Sequence, residues 1–307
     1  MDNKTIGVLL MAYGGPDSLQ DIPSYLLDVR EGRPTSQELI EEISENYRKI
    51  GGKSPILELT RQQAVALEKE LNRQGNYKVY IGMRHWSPWI KDAVEQMIKD
   101  GVEQAVALVL APHYSSMSIG KYFKRLDEAL ENHPNPFTYE RIVSYHDHPL
   151  FIEALAQRVR QGLANLPADT HVIFSAHSLP VRIIREGDPY DTQLRETAAL
   201  TAEKAGLSES QWSFCYQSAG RSPEPWLGPQ LDEYVAKLGD KGHRSLLSVV
   251  IGFVCDHVEV LFDIDIRAKE IAREKGVRLE RAPSLNDDPL FIRTLVDLIL
   301  QKVKETA

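Results

Sequence analysis

Short apolar runs alternate with longer amphipathic segments along the whole chain. The short runs are rich in β-branched and aromatic residues, as buried strands are, while the longer segments repeat apolar residues at helical spacing. This alternation predicts parallel sheets covered by helices on both faces. Eight strands are expected, at residues 5–13, 77–85, 104–112, 141–146, 171–178, 211–218, 244–254 and 277–282.

Four of these strands lie in each half of the sequence. We therefore predict an α/β protein of two Rossmann-like lobes, residues 1–147 and 148–307, each with a four-stranded parallel sheet flanked by helices. Ligands of such sheets bind beyond the carboxyl ends of the strands, so a cleft between the lobes is expected. The last helical segment, DPLFIRTLVDLILQKV, is expected to pack back on the first lobe.

Composition narrows the class of protein. The 307 residues carry a net charge of −8 and no Lys/Arg block longer than two residues, which argues against nucleic acid as a partner. No apolar stretch is long enough to cross a bilayer, so we expect no stable membrane insertion. We also expect a monomer, because nothing in the sequence suggests an obligate partner, and a reducing cytoplasm, because the cysteines follow no disulfide pattern. Cys215 and Cys255 lack CxxC spacing, so a disulfide framework, a zinc site or an iron–sulfur cluster is not expected.

Histidines gather where the predicted strands end. Five of the nine, His85, His113, His146, His177 and His257, lie at or just beyond those ends. A single histidine there is often a partly buried residue satisfied by the backbone. The concentration at one edge of the sheets instead indicates a binding or catalytic site.

Two further segments carry candidate chemistry. In IGFVCDHVEVLFDIDIR (251–267), Asp256, Glu259 and Asp263 follow i, i+3, i+7 spacing, so a helix would place three carboxylates on one stripe. With the imidazole of His177, these groups suit a divalent cation or proton transfer, although a solvated acidic face is the other interpretation. Trp226, between prolines in PEPWLGPQ, offers a flat stacking surface or a local plug.

These segments belong to a longer series of motifs. In order, the series is MAYGGP (11–16), IGGKSPI (50–56), YIGMRH (80–85), LAPHYS (110–115), SAHSLP (175–180), GDPY (187–190), QSAG with PWLGPQ (217–230), GFVCDHVEVLFDID (252–265) and APSLNDDPLF (282–291). Over nearly its whole length, the chain resembles the ferrochelatases, which insert ferrous iron into porphyrins. The resemblance implies porphyrin and Fe²⁺ as substrates, with no permanently bound cofactor.

The resemblance also implies roles for individual residues. His177 is similar to the active-site histidine of the family, Glu259 to its partner carboxylate and Asp263 to the next carboxylate of an acidic ladder. Tyr13 would face the metal from the opposite side as a weak oxygen ligand, and His85 matches a histidine of an outer metal site. The residues that match the lining of the porphyrin pocket are Tyr13, Arg30, Ser54, Tyr122 and Trp226.

Tyr13 bears on the substrate as well. Members that act on coproporphyrin III typically have tyrosine at this position, whereas those that act on protoporphyrin IX typically have methionine. The resemblance thus implies synthesis of Fe-coproporphyrin III (coproheme) in heme biosynthesis, with protoporphyrin IX as the alternative substrate. Arg267 departs from the pattern, because an acidic residue often continues the ladder there.

Two other functions remain open from the sequence. One is a different chelatase, such as an enzyme that inserts cobalt into sirohydrochlorin, and the other is a non-catalytic carrier of a tetrapyrrole or a metal.

For the iron enzyme, we expect a bent porphyrin and a proton acceptor at His177, helped by Glu259. Burial would lower the pKa of the histidine and raise that of the glutamate, while their mutual attraction opposes both shifts.

Overall fold

The computed structural model describes residues 4–131 and 133–306. The chain forms two compact units. The first comprises Met1–Ala111, Ser116–Ser144 and Asn286–Ala307, and the second comprises Pro112–Ser115 and Tyr145–Leu285. Each unit contains one four-stranded sheet. Within the described residues, no helix is long and apolar enough to cross a membrane.

The first unit is built on a parallel sheet. Its strands are β1 (Ile6–Ala12), β2 (Tyr77–Met83), β3 (Gln104–Val109) and β4 (Thr138–Ile142), in the order β2-β1-β3-β4. Its helices are α1 (Ile22–Val29), α2 (Gln37–Lys49), α3 (Ile56–Leu71), α4 (Ile90–Lys99) and α5 (Ile119–Glu131), with a short 3₁₀ helix at Leu19–Asp21.

The second unit repeats this strand order. Its strands are β5 (His171–His177), β6 (Trp212–Gln217), β7 (Ser245–Val250) and β8 (Arg278–Arg281), in the order β6-β5-β7-β8 and all parallel. Its helices are α6 (Pro149–Leu163), α7 (Arg182–Arg185), α8 (Tyr190–Ala205), α9 (Leu231–Asp240), a π-helix (Glu259–Ala268) and α10 (Lys269–Glu274), with a 3₁₀ helix at Glu209–Gln211. The predicted fold class, two four-stranded parallel sheets with flanking helices, is confirmed.

The last helix, α11 (Pro289–Thr306), belongs to the first unit. It packs against α3 and β4. The side-chain amide of Gln63 on α3 donates to the backbone oxygen of Asn286 at 2.8 Å, which ties the start of this segment to the same unit. The chain therefore returns to its first unit after completing the second.

The strands occur where the apolar runs predicted them, with one displacement. β1 is buried from Gly7 to Ala12 and β5 from His171 to Ala176, as central parallel strands covered on both faces should be. The fourth strand was predicted at residues 141–146 but lies at Thr138–Ile142. It is an edge strand paired only with β3, and most of its residues are not buried, so it lacks the apolar run that marks an interior strand.

Candidate functional site

Two neighbouring strands of the second sheet bring the main candidate residues together. β5 and β7 pair in the middle of this sheet, and their connections leave in opposite directions, which makes their carboxyl ends a topological switch point. His177 is the last residue of β5, and the chain that leaves β7 reaches Glu259 at the start of the π-helix. The Nδ1 atom of His177 lies 2.8 Å from Oε2 of Glu259.

A glycine allows this close approach. Beyond β7, the backbone N–H of Ile251 still donates to the oxygen of Ser175 on β5, at 2.9 Å. A Cβ atom at Gly252 would lie 2.7 Å from the Cβ of Ala176 and 3.1 Å from its Cα. Only glycine lets the chain pass this closely over the end of β5. The approach sets where the segment leading to Glu259 begins.

Replacing Gly252 by alanine is therefore expected to destabilise the protein. Overpacking a closely packed site typically costs about 1–3 kcal/mol, and the loss should appear as a lower urea midpoint and a lower Tm. The double variant Gly252→Ala with Ala176→Gly removes one of the two clashing Cβ atoms. Part of the loss should return in this variant, measured as a double-mutant cycle. Strictly additive effects would show that the contact with Ala176 is not the cause.

The π-helix differs from the helix expected from the sequence. Asp256 was predicted to share a stripe with Glu259 and Asp263, but this was wrong, since Asp256 precedes the π-helix. Its carboxylate accepts a hydrogen bond from Ser284 at 2.7 Å and pairs with Arg281 at 3.1 Å. The i→i+5 bonding of a π-helix, often found at functional sites, widens the turn relative to an α-helix.

The carboxylate that continues from Glu259 is Asp263. Ser218 lies directly beyond β6, and its hydroxyl donates to Asp263. Hydrogen bonding between Ser218 and Glu259 also contributes to the lowered pKa of Glu259. Ser218 adopts φ +58°, the left-handed region that non-glycine residues seldom occupy. Such backbone strain persists where the surrounding structure requires it, so the placement of this hydroxyl is a specific feature of the site.

Mutual attraction decides the protonation of the His177–Glu259 pair. Burial alone would lower the pKa of His177, but the charge and hydrogen bond of Glu259 and the charge of Asp263 outweigh it, so this pKa is raised. Burial would likewise raise the pKa of Glu259, yet the charge and hydrogen bond of His177 leave it lowered. The ionic form of the pair, imidazolium with carboxylate, is therefore favoured near neutral pH.

Arg267 modifies the acidic ladder. Its guanidinium lies 3.2 Å from Asp263 and 2.8 Å from Asp232. A positive charge therefore stands at the position where related proteins often have a further carboxylate. Burial raises the pKa of Asp263 to about 6; the charge of Arg267 opposes the rise, while that of Glu259 adds to it. Asp263 therefore titrates just below neutral pH and can exchange a proton there.

In the first unit, the carboxyl ends of β1 and β2 place Tyr13 beside His85. The backbone N–H of His85 donates to the oxygen of Tyr13 at 2.9 Å, and the two rings lie 4.5 Å apart. Tyr13 is 37% exposed, whereas His85 is buried. The Nδ1 atom of His85 lies 2.6 Å from the carboxylate of Asp28 on α1.

The surroundings of His85 favour a neutral imidazole. Burial and then the charge of Arg84 lower its pKa, although the hydrogen bond and charge of Asp28 act in the opposite direction. A neutral ring next to a carboxylate carries its proton on Nδ1, which donates to Asp28, and keeps a lone pair on Nε2. A carboxylate behind the ring is the arrangement that orients metal-binding histidines, so His85 could ligate a cation through Nε2.

The other residues expected at the porphyrin pocket lie at several places. Arg30 caps the end of α1, Ser54 precedes α3 and accepts from the N–H of Ile56 at 3.3 Å, and Tyr122 is buried on α5. Trp226 packs on Gly220, whose hypothetical Cβ would lie 2.3 Å from the indole. The loop of Trp226 is tied to the segment after His177, since Leu227 N–H donates to Leu179 at 2.9 Å.

The candidate metal ligands do not form one compact cluster. Across residues 4–131 and 133–306, the His, Cys, Asp and Glu groups with at least three ligand atoms close enough for one ion are confined to His146, Asp147 and Glu196. The predicted set His177, Glu259 and Asp263 is not such a group. A cavity of about 580 Å³ between α4 and α5 has Arg125 in its wall but none of the predicted porphyrin residues.

Sequence reasoning singled out neither Asp28 nor Arg84 or Arg125, and it gave Ser218 no role. Ser218 stands at the end of β6, so its position was a signal that could have identified it. Arg84 likewise lies between β2 and His85. Asp28 and Arg125 lie within helices, in sequence contexts that resemble ordinary solvent-facing charges, and only tertiary contacts reveal them.

Comparisons with known proteins agree with this architecture. The ferrochelatase family model matches residues 5–303. The protein named ferrochelatase in Deinococcus radiodurans is 57% identical over 311 residues, covering 100% of this chain and 98% of that one. The coproporphyrin III ferrochelatase of Geobacillus sp. (strain WCH70) is 41% identical, covering 99% of this chain and 100% of that one.

A solved structure shares the fold at much lower sequence identity. SirB from Bacillus subtilis with Fe³⁺ aligns with a TM-score of 0.59 at 11% identity, covering 97% of this chain and 95% of that one. This likeness concerns the fold alone, whereas the family model and the two relatives extend over nearly the full sequence. The chain therefore belongs to the ferrochelatase family.

Proposed function

We propose that this ferrochelatase inserts Fe²⁺ into coproporphyrin III and releases Fe-coproporphyrin III (coproheme) for heme biosynthesis. The hydrogen-bonded pair of His177 and Glu259 is the observation that carries the chemistry. Tyr13, exposed at the end of β1, supports the choice of coproporphyrin III. Relatives at 41–42% identity named coproporphyrin III ferrochelatase support it too, although the relative at 57% identity is named only ferrochelatase.

Metal insertion exchanges two pyrrole N–H protons for one Fe²⁺ ion. We assign the protons to the His177–Glu259 pair, with Asp263 as the next acceptor, since its pKa of about 6 suits proton exchange near neutrality. In the ionic form of the pair, both ring nitrogens of His177 carry a proton, and Nδ1–H donates to Glu259. Nε2 must therefore release its proton, to Asp263 and then to solvent, before it accepts one from a pyrrole. The same cycle takes up each of the two pyrrole protons.

A flat porphyrin directs its pyrrole lone pairs into the ring, where an entering cation reaches them poorly. We propose that contacts at the rim of the macrocycle, from Arg30, Ser54, Tyr122 and Trp226, hold a bent ring. Their binding energy would offset a distortion costing about 1–5 kcal/mol. The phenolic oxygen of Tyr13 then serves as a weak ligand to the incoming iron, and Nε2 of His85 serves as a ligand at an outer binding site for the ion.

Iron is a substrate of the proposed reaction, and we propose that the protein holds no permanently bound cofactor. Cys215 and Cys255 are both buried and free, and burial raises the pKa of each thiol, so neither readily supplies the thiolate that a cluster needs. Two buried thiols also suit a reducing cytoplasm, in which we place the protein.

Turnover on a panel of substrates tests this function. Purified protein is mixed anaerobically with Fe²⁺ or Co²⁺ and with coproporphyrin III, protoporphyrin IX or sirohydrochlorin, and product is followed by absorbance. We expect many turnovers per protein molecule with Fe²⁺ and a higher kcat/KM on coproporphyrin III. A higher kcat/KM on protoporphyrin IX would assign the alternative substrate. A stoichiometric complex without turnover would instead identify a carrier.

A further inference from the structure

The guanidinium of Arg84 is buried without an anionic partner. The residue is 8% exposed, and its Nε atom has no hydrogen-bond acceptor within the described parts of the chain. Over those same parts, no carboxylate lies within ion-pair distance of it. The guanidinium lies over the face of the Tyr122 ring, with its carbon 5.2 Å from the ring centroid. Such stacking offsets part of the cost of burying a charge, while an unpaired buried charge is strongly unfavourable.

The nearby acidic side chains are occupied by other cations. Asp28 binds His85 at 2.6 Å and Arg125 at 3.2 Å. Glu31 pairs with Lys121 at 2.6 Å, and the charge of Arg84 only adds to the lowering of its pKa. The carboxylates that could neutralise Arg84 are thus already engaged, and this part of the first unit has an excess of positive charge.

The position of Arg84 connects it to the candidate site. Arg84 directly follows β2, and its backbone N–H donates to the oxygen of Ala12 at 2.9 Å. Its chain neighbour His85 contacts the ring of Tyr13. The guanidinium therefore extends from the same strand ends as Tyr13 and His85. A second buried atom without an acceptor, Nε of Arg30, belongs to a residue already expected to line the porphyrin pocket.

We infer that Arg84 is a specificity residue that binds a rim carboxylate of the porphyrin substrate. This inference rests on the proposed function and names the chemistry by which a porphyrin rich in carboxylates is preferred. A planar guanidinium binds a carboxylate through two parallel N–H···O bonds, which gives both energy and orientation. Coproporphyrin III has four carboxylates and protoporphyrin IX has two. An arginine without an anionic partner therefore favours coproporphyrin III.

Metal-free binding of two matched ligands tests the inference. The Kd values of coproporphyrin III and its tetramethyl ester are measured by quenching of protein fluorescence, in one detergent-containing buffer. Arg84→Gln should raise the Kd of the free acid by roughly ten- to a hundredfold, the size expected for a lost charge-assisted contact, and leave the Kd of the ester unchanged. Arg33→Gln, which removes an exposed cation from the same region, is the control and should leave both constants unchanged.

Further measurements separate binding from a structural role. The Kd of the free acid should rise less steeply with salt concentration in Arg84→Gln than in the original protein, because one charge contact is absent. Arg84→Lys keeps the charge without the two-pronged geometry, so its preference for acid over ester should fall several-fold. If Arg84→Gln fails to fold, the lysine variant decides the question by the same ratio.

The possible failures can be told apart. If the original protein turns over Fe²⁺ and coproporphyrin III while the acid-to-ester preference survives in the Arg84 variants, Arg84 only packs on Tyr122 and this inference is overturned. If the original protein shows no turnover but the preference disappears in Arg84→Gln, the carboxylate site stands and the proposed function fails.

Discussion

Replacing His177 by alanine is expected to lower kcat for iron insertion by at least about 100-fold, the usual contribution of a positioned acid or base. The imidazole is the partner of Glu259 and the proposed acceptor of a pyrrole proton. Contacts to the rim of the porphyrin do not involve this side chain, so the Kd of coproporphyrin III should change little. Anaerobic turnover and fluorescence titration measure the two quantities.

His243→Ala is the matched control for this experiment. His243 belongs to the same unit but contacts His171, at the opposite end of β5 from His177. Its removal should leave both kcat and Kd near their original values. Near-native turnover in His177→Ala would remove the histidine from the proposed mechanism, whereas a large rise in Kd would show that it acts mainly in binding.

Replacing Glu259 by glutamine is expected to move the pH dependence of the reaction to lower pH. The pKa of His177 is raised above 6.5 chiefly because the charge and hydrogen bond of Glu259 overcome burial. A proton acceptor works in its neutral form, so the rate should rise with pH as His177 loses its proton, with a midpoint above 6.5. Without the glutamate charge, the effect of burial dominates and the midpoint falls.

The same substitution removes a proton-accepting carboxylate, so kcat at the optimum should also fall by about 100-fold or more. NMR titration of the His177 imidazole reports its pKa even where turnover is too slow to follow. Glu270→Gln, an exposed change on α10, is the control and should leave the titration unaltered. An unchanged or raised pKa in Glu259→Gln would contradict the electrostatic account of the pair.

The structure revised several details of the acidic segment for identifiable reasons. An i, i+3, i+7 pattern places three side chains on one stripe only if the segment is an α-helix throughout. Here the helix begins at Glu259 and has π geometry, while Asp256 lies before it and pairs with Arg281. Arg281 is on β8, in a distant part of the chain. Its ion pair with Asp256 therefore could not be predicted from the local pattern, which placed Asp256 beside Glu259 and Asp263.

The protonation of His177 shows a similar limit. The residue types predict two opposing influences, burial and the attraction of a carboxylate, but the outcome depends on a 2.8 Å contact between side chains 82 positions apart. A separation of a few ångströms more would weaken the attraction and leave burial in control. The balance is thus a property of the folded geometry.

The sequence by itself determined the elements of the fold and the residues at the ends of its strands. A buried parallel strand needs an uninterrupted apolar run, and a polar side chain that ends such a run must lie at the carboxyl end of that strand, as Tyr13 and His177 do. The ordered motifs also determined the family, because each depends on local residue identity. These features are encoded by neighbours in the chain.

Only the tertiary structure decided which of these groups meet and in what electrical state. The pairing of β5 with β7 and the close passage at Gly252 lead the chain to the contact between Glu259 and His177. The burial of Arg84 among acids already paired elsewhere left it without a partner. Contacts and burial depend on atoms from distant parts of the chain, and these atoms come together only when the chain folds.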